Sequence, residues 1–258
     1  MIVITLISCL VVVAAAESLL FFLVSPFGIL LYILLLIGLL VLWFTAATDV
    51  AIKKYALALT LVPLYRLIAI FSAVPTVIMN IDADIAFFAL LNPLLLLMAV
   101  GFLRIGRFNT SEVGLVLTRL PLQIAVGFSG IPIGFALYFT VRRDLLLPDS
   151  RWYWILLGIF VVAIGAAAEE LIFRGIIQQS VTRVIGSKLG LCYVSLVFAV
   201  AHLGGVSGTN LSILNVAVIL AAAIFYSFVV LKSGTLLGVT ISHTIANVTL
   251  FMVLPLVT

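Results

Sequence analysis

The sequence predicts an all-α fold, a polytopic transmembrane bundle of about 8–9 spans with one short interfacial helix. Three observations carry that prediction. Hydrophobic residues make up 66% of the 258 residues and charged residues only 9%. The mean hydropathy is +1.45, outside the range of water-soluble domains. Apolar runs of about 20 residues, the length that crosses a hydrocarbon core as a helix, recur from one end of the chain to the other.

Taken in order, these runs place spans at about 2–24, 27–47, 56–79, 85–103, 121–141, 152–180, 189–203, 211–231 and 235–254. The first ends in Ala14-Ala15-Ala16 before Glu17, which has the form of a signal-peptide cleavage site, but no basic residue precedes the run, so it is expected to stay as a span. Arg66 stands alone in the third span, where pairing with Glu17 or snorkelling is expected ahead of a place on an ion path. Residues 104–120 mix arginines with Val113, Leu115, Val116 and Leu117, the pattern of an amphipathic helix lying in the interface. Gly and Pro within the spans kink helices that their neighbours can accommodate. With no repeat and no linker, residues 1–258 read as a single integral-membrane domain.

Charge and cysteines narrow the classes. The net charge of +4 is spread over short loops, which suits anionic lipid headgroups and leaves no basic face for nucleic acid. Cys9 and Cys192 lie in separate apolar runs and form neither a disulfide framework nor a metal knuckle. With Lys53 and Lys54 inside, Arg104, Arg107, Arg119, Arg183, Lys188 and Lys232 also fall inside, eight against Arg142, Arg143 and Arg151 outside. That predicts an inside amino terminus.

The polar residues within spans are few. The only histidines are His202 and His243, and Glu169, Glu170 and Arg174 fall within six residues of one apolar run. An ionised group at the centre of a membrane helix costs on the order of 2.5–3.5 kcal/mol on the mildest scale, so something must compensate for them. Helical geometry stacks Glu170 beneath Arg174, with Glu before Arg the favourable order. Glu169, turned about 100° around the axis, is expected to stay unpaired and free to act as a general base on water. His243 and Asn247 share a face of the last span. At about 1.5 Å rise per residue, Glu169, His202 and His243 lie roughly 16, 20 and 12 Å from one side of the bilayer, so three helices can bring them to one layer. Each group also has a structural role available, Glu170 with Arg174 as a register-fixing pair and either histidine as a helix-bridging hydrogen bonder. The small residues Gly165, Ala166, Ala167 and Ala168 leave room beside the carboxylates or serve close helix packing.

Glu169-Glu170-x-x-x-Arg174, then Phe198-x-x-x-His202, then His243-x-x-x-Asn247, on separate hydrophobic segments, resembles the CPBP (Abi, or type II CAAX prenyl endopeptidase) group of intramembrane proteases over residues 150–254, which would form the catalytic core. The resemblance implies that Glu169 activates water, that Glu170 and Arg174 support it, that His202 completes the site, and that His243 and Asn247 hold the oxyanion. It further implies a membrane-associated peptide or prenylated protein as substrate, membrane lipids as partners, and a cavity open to the cytoplasm, in the plasma membrane of a prokaryote. No cofactor is favoured. A zinc version with Glu169, His202 and His243 as ligands stays open, although the His-Glu-x-x-His helix is absent. So do a proton-coupled transporter and a non-cleaving scaffold.

Overall fold

A computed structural model describes residues 2–46, 50–78, 84–141, 144–148, 150–203 and 212–257. The chain forms α1 (Ile2–Phe21), α2 (Phe27–Thr45), α3 (Val50–Ile78), α4 (Asp84–Ile105), α5 (Leu120–Phe128), α6 (Gly130–Val141) and α7 (Trp152–Glu170). From α7 the chain runs through a π-helical stretch, Leu171–Ile177, into α8 (Gln178–Ile185). There follow α9 (Ser187–Ala201), α10 (Ser212–Ser233) and α11 (Leu237–Val248), then a second π-helical stretch, Thr249–Val253, and α12 (Leu254–Val257). Among the described residues, eight helical runs are long and apolar enough to cross a membrane, and Ser187–Ala201 is a shorter apolar helix. The protein is a polytopic helical membrane bundle.

The exterior is apolar, as a lipid-facing surface must be when no water is there to solvate it: Leu97 is 68% exposed and Phe139 67%. The interior packs Tyr55, Leu59, Leu61, Leu95, Phe173 and Ile176 almost completely out of reach. α11 lies against α5, α6 and α7, with α4 beside α7, α10 beside α9, and α2 between α1 and α3. Close approach of α6 to α11 needs glycine. A Cβ on Gly134 would sit 2.6 Å from Thr249 Cβ and 2.7 Å from the Ala246 carbonyl oxygen.

The expected interfacial helix is absent. Between α4 and α5 the chain is turn and loop, with Arg107, Gly114 and Arg119 at φ of 50°, 77° and 52°. Tertiary partners override the amphipathic pattern. Glu112 accepts from Lys54 Nζ at 3.1 Å and from the Asn109 N–H at 3.2 Å, and it pairs with Arg183. Burial pushes the Glu112 carboxyl up, but the Lys54, Asn109 and Arg183 donors outweigh it and hold it below the usual carboxylate range. The Leu236 N–H donates to the Gly114 carbonyl at 2.9 Å, and Thr235 Oγ1 donates to that of Val116 at 2.6 Å. One end of the bundle is thereby tied together from α3, the 106–119 loop, α8 and the start of α11.

Candidate active site

The two carboxylates stand at the C-terminal end of α7, where the ladder changes to π-helical, a widened turn often found at functional sites. Glu170 and Arg174 are both fully buried, and Arg174 Nη1 lies 3.1 Å from Glu170 Oε1. The i, i+4 pair expected from the sequence is formed. The guanidinium also lies 4.2 Å from the centre of the Phe198 ring, a cation–π contact. Glu170 has a second partner that the spacing did not reveal: its Oε1 accepts from His243 Nδ1 at 2.8 Å.

Glu169 is not unpaired, which corrects the sequence expectation. Its Oε1 accepts a hydrogen bond from the Tyr65 hydroxyl at 2.9 Å. Its Oε2 faces both imidazoles, 3.8 Å from His202 Nε2 and 3.8 Å from His243 Nε2. These separations exceed hydrogen-bond reach and leave room for a small bridging molecule. Both rings are fixed from behind. His202 Nδ1–H donates to the Phe198 carbonyl at 2.7 Å, and His243 Nδ1–H donates to Glu170. With Nδ1 occupied as donor in each ring, both Nε2 atoms point at Glu169.

The layer deduced from helical rise is therefore real: Glu169, His202 and His243 converge from α7, the end of α9, and α11. Asn247 follows His243 by one turn and lines the same cavity, of about 270 Å³, together with Tyr65, Arg66 and Tyr226. The Gly165–Ala168 run does not line it. Gly165 instead faces the Asn92 side chain of α4, whose Nδ2 donates to the Val161 carbonyl at 2.9 Å, so close packing is the role of these small residues. Arg66 pairs with Glu17 as expected, Nε to Oε1 at 2.6 Å and Nη2 to Oε2 at 3.0 Å, and Tyr32 also donates to Glu17. Tyr65 was the missed partner, although a tyrosine beside the lone mid-span arginine was a usable signal.

From the Glu169 layer the cavity extends past Phe88, Val141, Asn215 and Phe251. Phe88, Val141 and Asn215 lie at the helix ends bordering residues 79–83, 142–143 and 204–211, and Thr140 Oγ1 donates to Asn215 Oδ1 there at 3.0 Å. That end is opposite the Lys54–Glu112–Arg183 cluster. The loop charges and a cytoplasm-facing cavity thus call for opposite orientations. Arg142 and Arg143 lie outside the described residues.

Residues 151–249 match the family model described as type II CAAX prenyl endopeptidase Rce1-like. The segment that carries the site is similar to that family over those residues. The Rce1-like segment holds all seven motif residues, from Glu169 to Asn247, and the match indicates a protease, a hydrolase of the membrane. No curated protein and no solved structure matches the chain. Among the described residues no group of three or more His, Cys, Asp or Glu side chains is arranged to hold a metal ion.

Proposed function

We propose that the protein is an intramembrane endopeptidase that hydrolyses a peptide bond of a membrane-associated substrate by glutamate-activated water, with prenylated CAAX-like peptides as one candidate class. The observation that carries this reading is one carboxylate oxygen, Glu169 Oε2, facing two imidazole nitrogens at 3.8 Å each at the wall of a cavity. A water in that gap can be polarised by all three groups. Glu169 takes its proton, the hydroxide adds to the scissile carbonyl carbon, and the proton passes on to the departing amine as the C–N bond breaks. His243, anchored through Nδ1 to Glu170, can take a second proton on Nε2 and present it, with the Asn247 amide, to the oxyanion of the tetrahedral intermediate. His202 keeps the water in place from the other side. Much of the cavity wall is aliphatic and aromatic, with Phe87, Leu91, Leu137 and Leu250 among its residues, which suits apolar side chains or a lipid group of the substrate.

The test is cleavage of a farnesylated CAAX peptide by purified protein in liposomes. Glu169→Gln is expected to lower kcat by about 10²–10⁴-fold, the range of general acid–base catalysis, with unchanged thermal unfolding. Wild-type cleavage by folded Glu169→Gln would overturn the reading. Full activity of chelated, zinc-free protein supports the water mechanism, whereas loss restored by zinc would make Glu169, His202 and His243 ligands. Proton flux without peptide product would favour transport.

A further inference from the structure

We infer that Tyr65 of α3, outside the Rce1-like segment, is a positioning residue for hydrolysis, fixing the Glu169 carboxylate so that only Oε2 faces the water. The inference rests on the proposed role of Glu169 and adds a residue that the motifs do not contain. An ionised carboxylate has two equivalent oxygens, and free rotation about its last torsion would present either of them to the imidazoles. The structure breaks that equivalence. The Tyr65 hydroxyl donates to Oε1 at 2.9 Å, and Oε2 is left 3.8 Å from each Nε2.

Tyr65 is itself held. It is 5% exposed, and its ring stands edge-on to Phe173 with centroids 5.4 Å apart. The next residue in α3, Arg66, is locked to buried Glu17 through two hydrogen bonds of 2.6 and 3.0 Å. A rigid donor on a packed helix is what a catalytic carboxylate needs to keep one productive geometry. A purely packing role for Tyr65 would use the ring and leave the hydroxyl indifferent, and the two accounts separate on that atom.

Tyr65→Phe keeps the ring and removes the donor. Hydrogen bonds to charged groups are strong enough that kcat for the farnesylated peptide is expected to fall about 10- to 100-fold, with KM within about twofold of wild type. Tyr55→Phe removes another tyrosine hydroxyl of α3, one that donates to the Ile2 carbonyl at 3.2 Å, and is expected to leave kcat unchanged. Wild-type kcat in folded Tyr65→Phe, or an equal loss in Tyr55→Phe, would overturn the inference. Should Tyr65→Phe not fold, 3-fluorotyrosine placed at position 65 keeps ring and hydroxyl while altering donor strength. A changed kcat then supports the inference and an unchanged one overturns it. If Glu169→Gln cleaves normally, the underlying reading fails instead, so the two failures are distinguishable.

Discussion

At the scale of single residues, the central asymmetry is between two adjacent carboxylates. Glu170 is enclosed by Arg174 and His243, while Glu169 keeps one oxygen toward the cavity. Glu170→Leu would leave Arg174, fully buried, without an anion, and stability is expected to drop by about 3–5 kcal/mol. Adding Arg174→Met removes the stranded charge and is expected to recover most of that loss. Cleavage should stay low in the double variant because His243 Nδ1 has lost its acceptor. Thermal unfolding and kcat measured together check both halves. The motif residues were legible because charge within an apolar run demands a reason. The Tyr65 and His243 contacts were not, because each joins helices far apart in sequence, 104 residues for Tyr65 to Glu169 and 73 for His243 to Glu170, and no local spacing encodes such a pairing.

Helix-to-helix contacts decide how well those groups are aimed. α6 presses on the helix that bears His243 and Asn247, and Gly134 is the point of approach. Gly134→Leu is expected to cost about 1–3 kcal/mol through overpacking and to slow cleavage by shifting α11. Gly38→Ala is the contrasting case, since nothing lies within 4 Å of its added Cβ in α2. Replacing an unpacked mid-helix glycine there should gain up to about 1 kcal/mol with no change in kcat. Unfolding midpoints and turnover of the two variants provide the check. The spans were readable from hydropathy to within a few residues at most boundaries. The region 104–120 misled because its apolar spacing suits a helix, whereas Glu112 recruits Lys54 and Arg183 from distant elements and the Arg107, Gly114 and Arg119 backbones turn left-handed. The π-helical stretches after α7 and α11 were equally invisible, because nothing in the residue order of 171–177 or 249–253 marks a widened turn.

Over the whole molecule, depth arithmetic placed the reactive groups in one layer but could not say toward which end the cavity runs. The eight basic loop residues predict that the end bearing Lys188 is inside, which puts the cavity end outside. In a background with Cys9 and Cys192 replaced by alanine, Asp144→Cys is therefore expected to react with a membrane-impermeant thiol reagent added to intact cells. Lys188→Cys should react only after permeabilisation. The reverse pattern would open the cavity to cytoplasmic substrates. The walls of the cavity have a further consequence. Reactive groups come from residues 151–249, yet α3, α4 and α6 supply Tyr65, Phe88 and Val141 to the enclosure. Tyr65 apart, the groups facing the reacting layer and the wall supplied by α4 and α6 thus lie in separate stretches of one chain. A change in α4 or α6 can reshape what fits while the hydrolytic apparatus stays intact, so two proteins alike in residues 151–249 need not share a diet.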